Sequence, residues 1–247
     1  MKKQVIVISF LGIILLAFAP GDFKKDQLRY KRVRTAFAEK DSLINQKLEK
    51  LGVKPEKLEL FVRALKAERK LETWVKNHDD EKFQLYRSFS FCSFSGDLGP
   101  KRKQGDLQIP EGLYKIEIFN PVSSFYLSLG TSYPNASDKK RKIGTDPGGD
   151  IYLHGSCVTI GCIPIQDDGI KELYALSVLA RDANKSSIQV HLFPFKMNDA
   201  NMLKYGKKYP KHVDFWKEIQ PFYQHFESKK QLPKFYISKE GAYKMTE

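Results

Sequence analysis

Across residues 71–193 the chain is cut into short apolar runs by two polar stretches too rich in glycine, proline or charge to lie inside an element. The first is SGDLGPKRKQGDLQIPEG at 95–112; the second runs over 131–150 and closes on Asp146-Pro147-Gly148-Gly149-Asp150. Runs this short cannot be long helices. Residues 71–77 and 83–92 carry aromatic and branched side chains with partial alternation, the pattern of strands. Residues 113–119, 124–129, 151–153 and 187–193 read the same way. One segment differs. Asp167-Asp168 opens a helix that places Ile170, Leu173, Tyr174 and Val178 on one face. Many short strands with few helices predict a mainly β (α+β) unit.

The flanks read as helical. Residues 22–50 are rich in charge, with Leu28, Val33, Phe37, Leu43 and Leu48 loosely at helical spacing, and Gly52 ends the stretch. Pro55 then predicts a second helical segment carrying Leu58, Phe61, Val62 and Leu65. Beyond 195 a short helix, an aromatic-rich helix over 213–226 and one or two terminal strands are expected. There Phe215, Trp216, Phe222, Tyr223 and Phe226 are expected to pack the tail onto the core. The expected organisation is 20–69 as a helical N-terminal extension, 70–195 as the catalytic domain and 196–247 as a C-terminal extension packed on it.

The first nineteen residues read as an export segment. Lys2 and Lys3 precede an apolar run over 5–19, and Ala17-Phe18-Ala19 is a small-x-small cleavage pattern. Pro20 disfavours cleavage, so both a removed signal peptide and a retained membrane anchor stay open. No second hydrophobic span follows. The remaining 228 residues (247 less 19) suffice for one sizeable domain. The net charge is +13, and +11 without Lys2 and Lys3. Such an excess suits anionic surfaces. Export and the lack of a binding motif argue against nucleic acid as the partner.

Chemistry concentrates in His154-Gly155-Ser156-Cys157-Val158-Thr159-Ile160-Gly161-Cys162. A thiol needs a base or a cation nearby to react as thiolate, and an imidazole supplies either. Glycine before the cysteine lets a substrate approach the backbone, so the N–H groups of Gly161 and Cys162 are candidate oxyanion donors. Three readings compete: a Cys–His dyad, a zinc site, and simple packing. Zinc is disfavoured because the close Cys-x-x-Cys pair is missing. The chain has three cysteines, an odd number for an oxidising compartment. With Cys162 as the nucleophile, Cys92 and Cys157 are either a disulfide or two buried thiols. His78, His191, His212 and His225 show no partner pattern.

His154-Gly155 followed by Thr159-x-Gly161-Cys162 resembles the L,D-transpeptidase catalytic (YkuD-like) family, and within it the YafK-like branch with its short His-to-Cys spacing. The resemblance extends to residues 95–114, to the Asp146–Asp150 approach into IYLHG, and to the helix begun by QDDGI. It spans roughly 70–195, with similar segments on either side. It implies a β-sandwich-like catalytic fold without metal or cofactor, acting on peptidoglycan stem peptides. By position Cys162 matches the nucleophile, His154 the general base and Thr159 the family's Ser/Thr, with Gly155 beside the substrate. Lys101 and Arg102 could pair with a stem-peptide carboxylate, or form only a solvated basic loop. Asp150 could orient the His154 region or cap a turn. Two departures stand out: Ile160 where many relatives have His, and Ile163-Pro164 where many have a polar residue. The branch also resembles an amidase that detaches a wall-anchored lipoprotein, with water resolving the acyl-enzyme. Three functions therefore remain: transpeptidase, amidase, and non-catalytic peptidoglycan binder.

Overall fold

The computed structural model describes residues 22–184 and 186–246. The expected export segment lies outside them. The helices are α1 (Asp22–Gln27), α2 (Lys31–Lys50), α3 (Ala136–Arg141), α4 (Gln166–Ala183), α5 (Asp199–Lys208) and α6 (Val213–Lys229). The strands begin with β1 (Leu58–Leu65), β2 (Lys70–Asn77), β3 (Gln84–Ser90), β4 (Gly112–Asn120) and β5 (Ser128–Thr131). They continue with β6 (Tyr152–His154), β7 (Ile163–Pro164), β8 (Gln189–Phe193), β9 (Phe235–Ile237) and β10 (Tyr243–Met245). Among the described residues no helix is long and apolar enough to cross a membrane.

β1 to β8 form one mixed sheet in the order β3-β2-β1-β8-β4-β5-β6-β7, and β9 pairs with β10 apart from it. The sheet turns a corner on β4. That strand pairs with β8 over Gly112 to Lys115, then with β5 from Ile116 onward, with a register shift between Ile116 and Ile118. Such irregularities bend a strand out of one sheet half and into the next. The predicted β-dominated α+β class is the class observed.

Residues 58–65 correct the sequence reading. A single 3-10 turn, Pro55–Lys57, replaces the expected helix and leads into β1. Every residue of β1 except Glu59 is buried. Alternation explains why. Leu58, Leu60, Val62 and Ala64 face the cluster that also holds α2 and α4. Phe61 and Leu65 face the opposite side, among aromatics of α6. A strand buried on both faces is apolar throughout, so its spacing imitates a buried helix. The 131–150 loop also contains α3, capped by Asn135, whose side chain accepts from the N–H groups of Ser137 and Asp138. β5 starts four residues later than expected.

The N-terminal helices dock on α4. The buried Glu172 carboxylate accepts Lys47 Nζ at 2.9 Å and Tyr86 Oη at 2.9 Å, and also pairs with Arg87. Tyr174 Oη donates to Gln27 Oε1 at 2.7 Å. On the other sheet face Arg63 pairs with Glu72 and Glu227, each at 2.6 Å, beneath the rings of Trp74, Tyr223 and Phe226. As expected, Trp216, Phe222, Tyr223 and Phe226 are buried against the core; Phe215 is only half-buried.

A fully buried ion pair joins these layers to the 95–112 loop. Lys66 Nζ, one residue past β1, donates to Gly99 O (2.8 Å), Ile109 O (2.9 Å) and Glu111 Oε1 (2.9 Å). Glu111 Oε1 also accepts Gly99 N–H at 2.7 Å, and Oε2 accepts Trp216 Nε1–H of α6 at 2.8 Å. Burial pushes the Lys66 ammonium down from its ordinary value, and Glu111 opposes that shift. Removing one member leaves the other's buried charge uncompensated. Lys66→Met or Glu111→Leu should therefore each cost about 3–5 kcal/mol, while the two together should cost less than the two single changes summed. Urea denaturation of the four proteins checks this. Additive losses would show that the pair is not coupled.

Candidate active site

β6 and β7 run parallel, pairing Leu153 with Ile163 and His154 with Pro164. Cys162 lies one residue before β7. Alternation therefore puts Tyr152, His154, Cys162 and Pro164 on one face of this sheet end. The eight-residue spacing works because the intervening loop returns the chain to the same strand edge.

His154 is almost fully buried. Its ring lies against Phe125, with centroids 4.6 Å apart and planes at 34°. Nδ1 is 2.5 Å from Gly155 O. A carbonyl can only accept, so Nδ1 carries the proton and Nε2 is left as the acceptor. Burial lowers the His154 pKa, against a smaller opposing effect of the Gly155 carbonyl. The imidazole is thus held neutral, the state a general base requires.

Cys162 is half-buried and is the free cysteine. Its thiol donates to Asp150 O at 3.3 Å and accepts Tyr152 N–H at 3.4 Å. Burial pushes the thiol pKa up; the Tyr152 N–H pulls it down, Asp150 raises it and Lys101 lowers it. The resting pair is therefore thiol and neutral imidazole. Asp150, at φ 56°, presents its carbonyl to the sulfur, a role beyond capping the turn.

The glycines have different reasons. Gly161 has φ 142°, a region side chains rarely adopt, and an added Cβ would sit 3.1 Å from Gln108 O. At Gly155 a Cβ would meet Asp167 Oδ1 at 2.6 Å and Phe125 O at 2.7 Å. Gly155 is thus a point of close backbone approach, and its own N–H donates to Leu127 O at 3.2 Å. Thr159 Oγ1 donates to Cys162 O at 2.8 Å and accepts Gly161 N–H at 3.1 Å. That bond occupies the Gly161 donor, one of the two expected for an oxyanion. Ile165 N–H donates to His154 O at 3.0 Å. Strand alternation then turns the Cys162 N–H away from β6.

Cys92 and Cys157 are joined, with Cα atoms 5.5 Å apart, so the catalytic loop is stapled to the end of β3. Among the described residues no group of three or more His, Cys, Asp or Glu side chains could hold a metal ion. Lys101 and Arg102 are not a free basic loop. Lys101 is buried, with Nζ 2.6 Å from Asp106 Oδ1 and 3.0 Å from Lys103 O. Arg102 bonds Asp138 Oδ1 at 3.3 Å. Tyr152, Phe125 and Gln108 were missed by sequence reasoning. Only Tyr152 had a usable signal, its i, i+2 relation to His154.

The comparisons with known proteins follow the same residues. The family model for the L,D-transpeptidase catalytic domain, YkuD, matches residues 63–190. The chain belongs to this family. It is 36% identical over 176 residues to YafK of Escherichia coli (strain K12), a protein provisionally named an L,D-transpeptidase, covering 70% of this chain and 69% of that one. Among solved structures, the helical cell shape determining protein Pgp2 from Campylobacter jejuni aligns at 18% identity with a TM-score of 0.44, covering 79% of this chain and 80% of that one. Bd1075 from Bdellovibrio bacteriovorus aligns at 22% identity with a TM-score of 0.39, covering 65% and 57%. The match to the family model begins inside β1 and ends inside β8.

The thiol makes a direct prediction. Alkylation of Cys162 by iodoacetamide, followed against pH, should show a midpoint above the ordinary thiol value of about 8.5. Lys101→Met should move it higher, because the lysine charge favours the thiolate. A midpoint near neutrality would contradict the protonated resting state.

Proposed function

We propose that this family member is an exported cysteine enzyme that acylates Cys162 with a peptidoglycan stem peptide and transfers the acyl group. The observation that carries this reading is the arrangement of His154. Its Nδ1 is committed to the Gly155 carbonyl, which leaves Nε2 as the acceptor on the face it shares with Cys162.

In the proposed step the Cys162 sulfur attacks the carbonyl carbon of the L,D amide, and its proton passes to His154 Nε2. The Cys162 N–H receives the developing oxyanion. Collapse breaks the C–N bond, and the leaving amine takes the proton from His154. A thioester remains on Cys162. An incoming amine then attacks it, His154 takes that amine's proton, and the thiol is restored. Thr159 ties the backbone of this turn, and the Cys92–Cys157 link holds its far end. Export through residues 1–19, as signal peptide or anchor, belongs to the same reading.

A second reading has its own support. Val158 and Ile160 are 57% and 76% exposed beside the nucleophile. An apolar rim suits a protein chain better than a second polar stem peptide. That favours release of a wall-anchored lipoprotein, in which water replaces the amine.

Incubation with a tetrapeptide muropeptide and, separately, with a lipoprotein-linked muropeptide distinguishes the two by product mass. Cross-linked or exchanged stems are expected for the first reading and a freed lipoprotein for the second. Cys162→Ala should abolish turnover of both, and surviving turnover would end the mechanism. The pH profile follows from His154. Its pKa is lowered, so the neutral base persists below the ordinary histidine value of about 6.5. The acid limb of kcat/KM should fall below that pH and vanish, with the activity, in His154→Gln.

A further inference from the structure

Between the 95–112 loop and the C-terminal helices lies a cleft of 710 Å³, lined by neither His154 nor Cys162. Its volume suits a peptide-sized ligand. The wall holds five cationic side chains, Arg102, Lys103, Arg141, Lys208 and Lys211, against two acids, Asp97 and Asp106.

Both acids are already occupied. Asp106 accepts Lys101 Nζ and the backbone N–H groups of Arg102, Lys103 and Gln108. Asp97 accepts Tyr209 Oη–H at 2.7 Å. The cations are less fully used. Arg102 and Arg141 flank the ring of Phe215, with guanidinium carbons 4.9 and 5.3 Å from its centroid. Each is tied to one carboxylate, Asp138 and Glu218 respectively, and a guanidinium has five donors. The ammonium groups of Lys103 and Lys211 make no ion pair or hydrogen bond among the described residues.

The cleft shares its wall with the catalytic site. Gln108 lines it, and the Gln108 carbonyl is the nearest atom to where a side chain at 161 would begin, 3.1 Å from an added Cβ. Gln108 is thus the residue through which the cleft and the Gly161-Cys162 turn meet.

We propose that this cleft is a carboxylate-binding subsite for peptidoglycan stem peptides, using Lys103 and Lys211 at its mouth and Arg102 and Arg141 beside Phe215. It rests on the reading of the chain as a stem-peptide enzyme and adds what that reading lacks, a place for the stem's free carboxylates. Guanidinium groups match planar carboxylates bidentately. The C-terminal helices, which lie beyond the segment matched by the family model, complete the subsite.

The test uses full-length Cys162→Ala protein, which can bind a stem but not acylate. Calorimetry compares a tetrapeptide stem with free carboxylates, the same stem as carboxamides, and peptide-free glycan. The free acid should bind at least about tenfold more tightly than the amide, with the difference shrinking as salt is raised. Adding Lys103→Gln and Lys211→Gln should weaken the acid about five- to tenfold and leave the amide unchanged. These are surface positions, and an unchanged melting temperature confirms the fold. Equal binding of acid and amide, or an unaffected double variant, overturns the subsite. So does displacement of the stem by an equal concentration of inorganic phosphate. Turnover by the unsubstituted enzyme is scored separately. Carboxylate-selective binding without turnover removes the proposed reaction and keeps the subsite; turnover without carboxylate selectivity does the reverse.

Discussion

The Lys66–Glu111 pair holds the molecule's parts in one geometry. A buried ammonium is costly unless its donors are used, and Lys66 spends its three on two carbonyls and one carboxylate. Those acceptors fix the start and the end of the 95–112 loop. Glu111 in turn holds Trp216 of α6, and with it the C-terminal helix. The loop so fixed carries Lys101, whose charge acts on Cys162, and Gln108, which crowds Gly161. One pair thus couples the end of β1, the C-terminal helix and the nucleophile's immediate wall. The pair is not worth much as net stability. Its value is that it pairs buried groups of β1's end, the loop and α6 with one another.

The catalytic end is built on a different principle. β6 and β7 are three and two residues long, too short to hold a site by ladder bonds alone. Close backbone approaches supply the remaining rigidity. Gly155 admits Asp167 and Phe125, Thr159 ties the turn before the nucleophile, and the Cys92–Cys157 link anchors the loop to β3. Phe125 presses on the imidazole ring while Gly155 fixes its tautomer. If His154 is the base proposed above, the Gly155 carbonyl would orient it as a third side chain does in a triad.

The legibility of this chain in its sequence divides along physical lines. Period-2 runs and the helix around Asp167 are local signals, and apart from the late start of β5 the elements appear near where they are expected. The strand over 58–65 was hidden because both its faces are buried, which erases alternation. Lys66 and Glu111 lie 45 residues apart and look like two surface charges until the fold brings them together. Lys101 and Arg102 read either as ligands of a stem-peptide carboxylate or as a solvated basic loop for the same reason, since Asp106 and Asp138 become their partners only in three dimensions. The basic cleft was equally invisible, because its cations come from the 95–112 loop, α3 and the tail. What sequence shows well is spacing; what it hides is which charge meets which.

The protonation state of the site bears on how a Cys162–His154 pair would move its proton. A preformed thiolate–imidazolium pair would leave no free base to deprotonate an acceptor in the resting enzyme. Here burial acts on both groups in the neutral direction, raising the thiol and lowering the imidazole. In the proposed reaction the proton would move only when a carbonyl is in place for the sulfur to attack, and it would leave with the departing amine. His154 would then be neutral again when the thioester forms, able to take a proton from amine or water alike. The base does not choose between them. Selection falls to the surfaces around it, the apolar rim of Val158 and Ile160 on one side and the cationic cleft on the other. On the proposed readings a stem peptide with free carboxylates would seat in the cleft, and an apolar protein chain on the rim. The outcome of the proposed acyl transfer would then depend on what these two surfaces hold while the thioester lives.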